Sequence, residues 1–192
     1  MVIVSKRGFT IAFALLVVFA GLLWFACSNS KNTNPAGPDG PDLVASKVTA
    51  GDCKPIYIIN SGAASADQDC LQFAYGADSV LRITHINAGF NCCPDSFGVQ
   101  VDFADNVITI TESEYVTSYC RCLCLYDIEY SISGLDKKKY TIRVIEPYVI
   151  AYDMDPSLEF DVDFSKTQSG EFCVIRLQYP WGTGIAPEAQ GD

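Results

Sequence analysis

Nine cysteines and one histidine set the chemistry open to this 192-residue chain. A single His makes a His-based triad or a multi-His metal cage improbable, so sulfur is the chief candidate. After Cys27, eight cysteines follow: Cys53, Cys70, Cys92, Cys93, Cys120, Cys122, Cys124 and Cys173. An even number predicts four disulfides if the chain folds in an oxidising compartment. The C-x-C-x-C run beside a C-C pair also fits a thiolate site for zinc or copper(I), built from Cys92, Cys93, Cys120, Cys122 and Cys124. Alternate residues of a strand lie about 6.5–7 Å apart. That is too far for easy bridging to each other and too far for three sulfurs to converge on one ion. The run is therefore expected to reach partners on other segments. One consistent arrangement joins Cys92, Cys93 and Cys173 to Cys120, Cys122 and Cys124, with Cys53–Cys70 closing a local loop.

The remaining candidates are weaker. His85 shares a strand face with Leu81 and Ile83, which predicts a partly buried structural role; a general base would need partners that spacing does not reveal. Asp161/Asp163 and Asp153/Asp155 are carboxylate pairs at i, i+2. They suit calcium or glycoside hydrolysis in principle and solvated strand faces and turns in practice. Trp181, in Tyr179-Pro-Trp-Gly182, offers an aromatic face for stacking on a sugar, or a packing plug. No nucleophile elbow, zincin helix, P-loop or dinucleotide fingerprint occurs. No catalytic set and no cofactor are expected. A net charge of −10 argues against nucleic acid, whose phosphates need clustered Lys and Arg.

The elements that position these residues are mostly strands. Tyr126, Ile128, Tyr130 and Ile132 continue the even phase of the cysteine run, against Asp127, Glu129 and Ser131. Leu158–Phe164 and Val99–Phe103 alternate likewise, and Asp105-Asn106 predicts a hairpin turn into Val107–Glu112. Lys54–Ile59, Leu71–Tyr75, Val80–Asn87, Tyr140–Ile145 and Glu171–Tyr179 complete about nine strands. Cys173 starts an apolar alternation with Ile175, Leu177 and Tyr179 and is expected to face inward. At 49% hydrophobic and 19% charged, the chain can bury a core. The expectation is an all-β antiparallel sandwich over 52–182. A signal segment (1–26) and a flexible Asn/Ser/Pro/Gly-rich linker (27–51) precede it, and a disordered tail (183–192) follows.

Two local resemblances refine this. Lys6-Arg7, the uncharged apolar run Gly8–Phe25 and Trp24-Phe25-Ala26-Cys27 resemble the lipobox signal of bacterial lipoproteins. Trp24 and Phe25 replace the usual Leu and small residue. The resemblance implies cleavage after Ala26, lipid on Cys27 and a bilayer anchor, and Ser28 implies release to the outer membrane. An uncleaved anchor and an ordinary cleaved signal are the alternatives. Losing Lys6 and Arg7 with the signal leaves 11 basic and 23 acidic residues, a net −12. The lipid, and not the domain surface, would then hold the membrane. Second, Leu135 followed by Tyr140 resembles the tyrosine corner of immunoglobulin-like and fibronectin-type sandwiches. The expected role is structural or binding, with metal delivery by thiolates or carbohydrate binding as alternatives; the protein or glycan partner stays open.

Overall fold

The computed structural model describes residues 41–54, 64–152 and 156–182. The signal segment, Cys27, Asp153/Asp155 and the 183–192 tail lie outside them. The described elements are β1 (Val44–Ala45), β2 (Thr49–Ala50), β3 (Gln68–Tyr75), β4 (Val80–Asn91), β5 (Ser96–Ala104), β6 (Val107–Tyr115), β7 (Leu123–Ser133), β8 (Lys139–Ile145), α1 (Pro147–Ala151), β9 (Glu159–Asp163) and β10 (Ser169–Ile175). None of the described helical residues forms a helix long and apolar enough to cross a membrane.

Period-two alternation builds two sheets. One has the order β1-β7-β4-β3-β10, with β2 also on β7; the other is β5-β6-β8-β9. All pairings are antiparallel except β6 with β8, which run parallel. The chain reaches β8 from β6 through β7 in the opposite sheet. That crossover lets two strands of one sheet run the same way. The all-β sandwich follows from the alternation, because each sheet has one apolar face to bury. Leu71, Phe73, Leu81, Ile83, Ile128 and Ile132 of one sheet meet Ile108, Ile110, Tyr140, Ile142 and Val162 of the other.

Local chemistry sets the turns. Asp105 and Asn106 take φ of 52° and 62°, the left-handed pair of a two-residue hairpin. Tyr140 and Leu135 are buried, and the Asp136 N–H donates to the Tyr140 hydroxyl at 3.1 Å. The hydroxyl thus bonds to the chain four residues upstream, the geometry of a tyrosine corner. Tyr75 donates its hydroxyl to the Leu135 carbonyl at 2.8 Å, fixing the same corner from the other sheet. The three-lysine turn before Tyr140 is a solvated loop: Lys138 lies over the Phe103 and Tyr140 rings and Lys139 pairs with Asp161.

Two boundaries differ from the sequence expectation. The linker ends early: β1 and β2 pair with β7 and Val48 is buried, so residues 43–50 belong to the sandwich edge. Their apolar content is too short to show a period. The cysteine strand starts at Leu123, which puts Cys120 and Cys122 in the loop before it.

Candidate functional site

The eight cysteines close four disulfides: Cys53–Cys124, Cys70–Cys173, Cys92–Cys122 and Cys93–Cys120. Cys92 and Cys93 meet the 120–124 segment as expected. They do so by extending the β4–β7 ladder, whose last pair is Asn91↔Leu123. Cys173 does not join that segment and Cys53 does not pair with Cys70. The reason lies in the phase of β10. Its inward face is Phe172, Val174 and Arg176, while Ile175 and Leu177 stand exposed. Cys173 therefore points outward and meets its register partner Cys70 across β3. The apolar run 172–177 gives both phases, and the wrong one was the more hydrophobic by count. All five residues of the thiolate alternative are held as disulfides, leaving no thiolate to bind metal.

Asn91 organises the bridged end and carries no obvious sequence signal. Buried, it donates from Nδ2 to the carbonyls of Cys120 (2.8 Å) and Cys122 (3.2 Å). Its Oδ1 accepts from the N–H of Cys93 and of Cys120, both at 3.1 Å. One amide thus satisfies the backbone of two bridged segments. Beside it, Tyr119, Arg121, Tyr148, Tyr152 and Tyr179 line an open cleft. Tyr148 is tethered to Glu114 (2.6 Å) and Tyr179 to Leu123, while Tyr119 and Tyr152 are largely exposed. Desolvation, then the Glu114 bond, pushes the Tyr148 hydroxyl up.

Trp181 is not available for stacking on a sugar. It is fully buried against Gly89 and donates its Nε1–H to the Asn87 carbonyl at 2.7 Å. Asn87, at φ 64°, sits in a bulge of β4 where the register against β7 shifts between His85 and Ala88. The bulge switches the inward phase from Leu81, Ile83 and His85 to Ala88 and Phe90. Asp161 and Asp163 serve surface contacts, with Lys139 and Thr141 and with Ser165 and Lys166 respectively.

Between the sheets lies a cluster of almost wholly buried charged side chains: Asp69 (β3), His85 (β4), Glu112 (β6), Glu146 (the residue before α1) and Arg176 (after β10). His85 is wholly, not partly, buried. Its Nε2 lies 2.6 Å from Asp69 Oδ1, and its Nδ1 lies 2.9 Å from both Glu112 oxygens. Tyr130 donates its hydroxyl to Glu112 Oε1 at 2.8 Å. Arg176 donates from Nε to Asp69 Oδ2, from Nη2 to Glu146 Oε1 at 2.9 Å and from Nη1 to the Pro156 carbonyl at 3.0 Å, and its guanidinium lies over the Trp181 ring. Glu146 occupies the N-cap position of α1 but makes no side-chain cap bond, because its carboxyl turns inward to Arg176. Glu146 Oε2 has no hydrogen-bond partner and sits 3.9 Å from His85 Nε2.

Electrostatics divides these groups. Burial opposes the charge on His85, but Glu112 and Asp69 outweigh it and hold the imidazole well above its ordinary value. Burial likewise works against Asp69, and His85 and Arg176 still keep it below the usual carboxylate range. Desolvation and the nearby Asp69 charge push Glu146 far up despite His85 and Arg176. Desolvation, then Glu112, raises the Tyr130 hydroxyl. Removing one partner from an enclosed set of this kind leaves an uncompensated buried charge and is strongly destabilising. No side chain of the cluster reaches solvent, so a dissolved substrate has no path to it in this conformation. The donors that face one another, Asp69, His85 and Glu146, place ligand atoms within 4.8 Å of one another. Comparison with protein-family models, with curated proteins and with solved structures finds no match to this chain.

Proposed function

We propose that the chain is an exported lipoprotein, anchored to a bilayer through lipid on Cys27, whose disulfide-stapled sandwich serves a structural or ligand-binding role at the bacterial cell envelope, on the outer membrane. The observation that carries this reading is the parity of the sulfurs. The eight cysteines from Cys53 onward pair completely. Cys27, the residue at the lipobox position, is the odd one out. Four bridges also suit an oxidising compartment. Intact mass of the mature protein tests the reading. The expected species begins at Cys27 and carries a diacylglyceryl adduct that Cys27→Ser abolishes. A mature chain starting beyond Cys27, or an unmodified Cys27 thiol, overturns it.

A second reading, saccharide binding, is favoured by the cleft of tyrosines beside Arg121 at the bridged end, where Tyr119 and Tyr152 expose their rings. Such faces stack on pyranose rings. Titration of the full chain with a panel of cell-wall oligosaccharides tests it. Binding that Tyr152→Ala removes supports the reading, and no binding across the panel rejects it.

A further inference from the structure

We propose that Asp69, His85 and Glu146 form an enclosed site for one divalent transition-metal cation of the zinc class. The inference goes beyond the anchoring reading and stands even if Cys27 proves unmodified.

The donor set is the first argument. Asp69 Oδ1, His85 Nε2 and Glu146 Oε2 converge from β3, β4 and the start of α1 and lie within 4.8 Å of one another. Nε2 is 2.6 Å from Oδ1 and 3.9 Å from Oε2. Ligands at about 2.1 Å from a tetrahedral zinc stand about 3.4 Å apart, so these spacings bracket what the ion requires. One imidazole with two carboxylates suits zinc and its first-row neighbours. Calcium would need about six to eight oxygens.

The groups behind the donors are the second argument. His85 directs its other nitrogen, Nδ1, at Glu112, and Tyr130 holds Glu112 in turn. A carboxylate behind the imidazole fixes ring orientation and tautomer in metal sites. Arg176 occupies the far oxygen of both ligating carboxyls, Asp69 Oδ2 and Glu146 Oε1. Each carboxyl therefore keeps one oxygen for Arg176 and turns the other toward His85 Nε2.

The third argument is the orphan. Glu146 Oε2 is buried without a partner, which is costly for a polar atom unless something completes it. A cation held by the three converging donors completes it. Because no ligand atom is exposed, the ion enters as the domain folds or when the sheets part locally.

The test uses the full chain in detergent, with disulfides intact and no histidine tag, unfolded in guanidinium chloride and refolded with Zn²⁺ or Co²⁺ before unbound metal is removed. The expected product retains one metal per chain and melts at a higher temperature than the metal-free form. Because His85 is the single histidine, the Co²⁺ form should show one hyperfine-shifted imidazole N–H resonance, from Nδ1. Glu146→Gln keeps a side chain of the same shape, so the metal-free variant should fold while retained metal falls at least about tenfold. Asp161→Asn, on the surface, should retain metal as the parent does. Refolded parent chain without bound metal, a Co²⁺ form lacking the shifted imidazole signal, or equal retention by folded Glu146→Gln overturns the proposal. If Glu146→Gln fails to fold, the imidazole resonance of the parent decides.

Discussion

The end of the sandwich where β4 runs out and β7 begins differs from its middle in the bonds that close it. At the end, Cys92–Cys122 and Cys93–Cys120 tie loop to loop and Cys53–Cys124 ties a loop to β7, with Asn91 satisfying the backbone between them. In the middle, beside the Cys70–Cys173 bridge, Asp69, His85, Glu112, Glu146 and Arg176 join both sheets through ion pairs and hydrogen bonds. The bridges constrain the unfolded chain and are indifferent to pH. The ionic cluster acts only in the folded chain and depends on the protonation of each member. The end is stapled against opening, and the middle depends on each charged member keeping its partner.

Reduction should break this comparison most strongly. Opening all four bridges removes constraints each worth about 2–4 kcal/mol, and the reduced chain is expected to unfold at 37 °C, as circular dichroism would show. The bridge with the longest sequence separation, 103 residues, is Cys70–Cys173. Replacing both of its cysteines with Ser should lower stability by about 4 kcal/mol in urea denaturation, the largest loss for any single bridge.

The ionic middle comes next. His85→Ala leaves Asp69 and Glu112 buried without their cation, so a loss of about 3–5 kcal/mol is expected from chemical denaturation. The cluster of the metal-free protein should also respond to pH. Asp69 is depressed, so its contribution is complete above its ordinary 3.8 and fades as pH falls through the folded value. Glu146 and His85 are raised, so theirs are complete below 4.5 and 6.5 respectively and fade as pH rises through their folded values. The cluster therefore supports the fold most between 3.8 and 4.5 and progressively less above, a trend that urea midpoints across pH should follow. In His85→Ala the decline above 6.5 should become shallower by the share that His85 contributes.

Smaller effects sharpen the contrast. Tyr140→Phe deletes the hydroxyl that accepts from Asp136 and should cost about 1 kcal/mol, measured by thermal unfolding. Lys139→Ala breaks an exposed pair with Asp161 and should leave the melting temperature unchanged within error.

Both regions left traces in the sequence, of unequal clarity. Alternation in 123–133 and 158–164, the Asp105-Asn106 turn and the Leu135/Tyr140 corner were legible because each depends on local spacing. Cys92 and Cys93 were placed against the 120–124 segment, but Cys70–Cys173 was not foreseen. Both phases of 172–177 are apolar, and only packing against the second sheet selects one. The charged cluster also has a simple signature in the sequence. Every member continues an inward apolar alternation by one step: Asp69 before Leu71 and Phe73, His85 after Leu81 and Ile83, Glu112 after Ile108 and Ile110, Glu146 after Ile142 and Val144, Arg176 after Phe172 and Val174. A charged residue in the buried phase signals a buried partner. What spacing alone does not supply is that five such ends, from five segments, arrive at one place.

The most direct check on the account is a non-reducing peptide map of the purified protein, with thiols alkylated under denaturing conditions before digestion. The account predicts the cross-linked pairs Cys53–Cys124, Cys70–Cys173, Cys92–Cys122 and Cys93–Cys120, with none of these eight alkylated. A map with alkylated cysteines among the eight, or with Cys120 joined to Cys124, would contradict it.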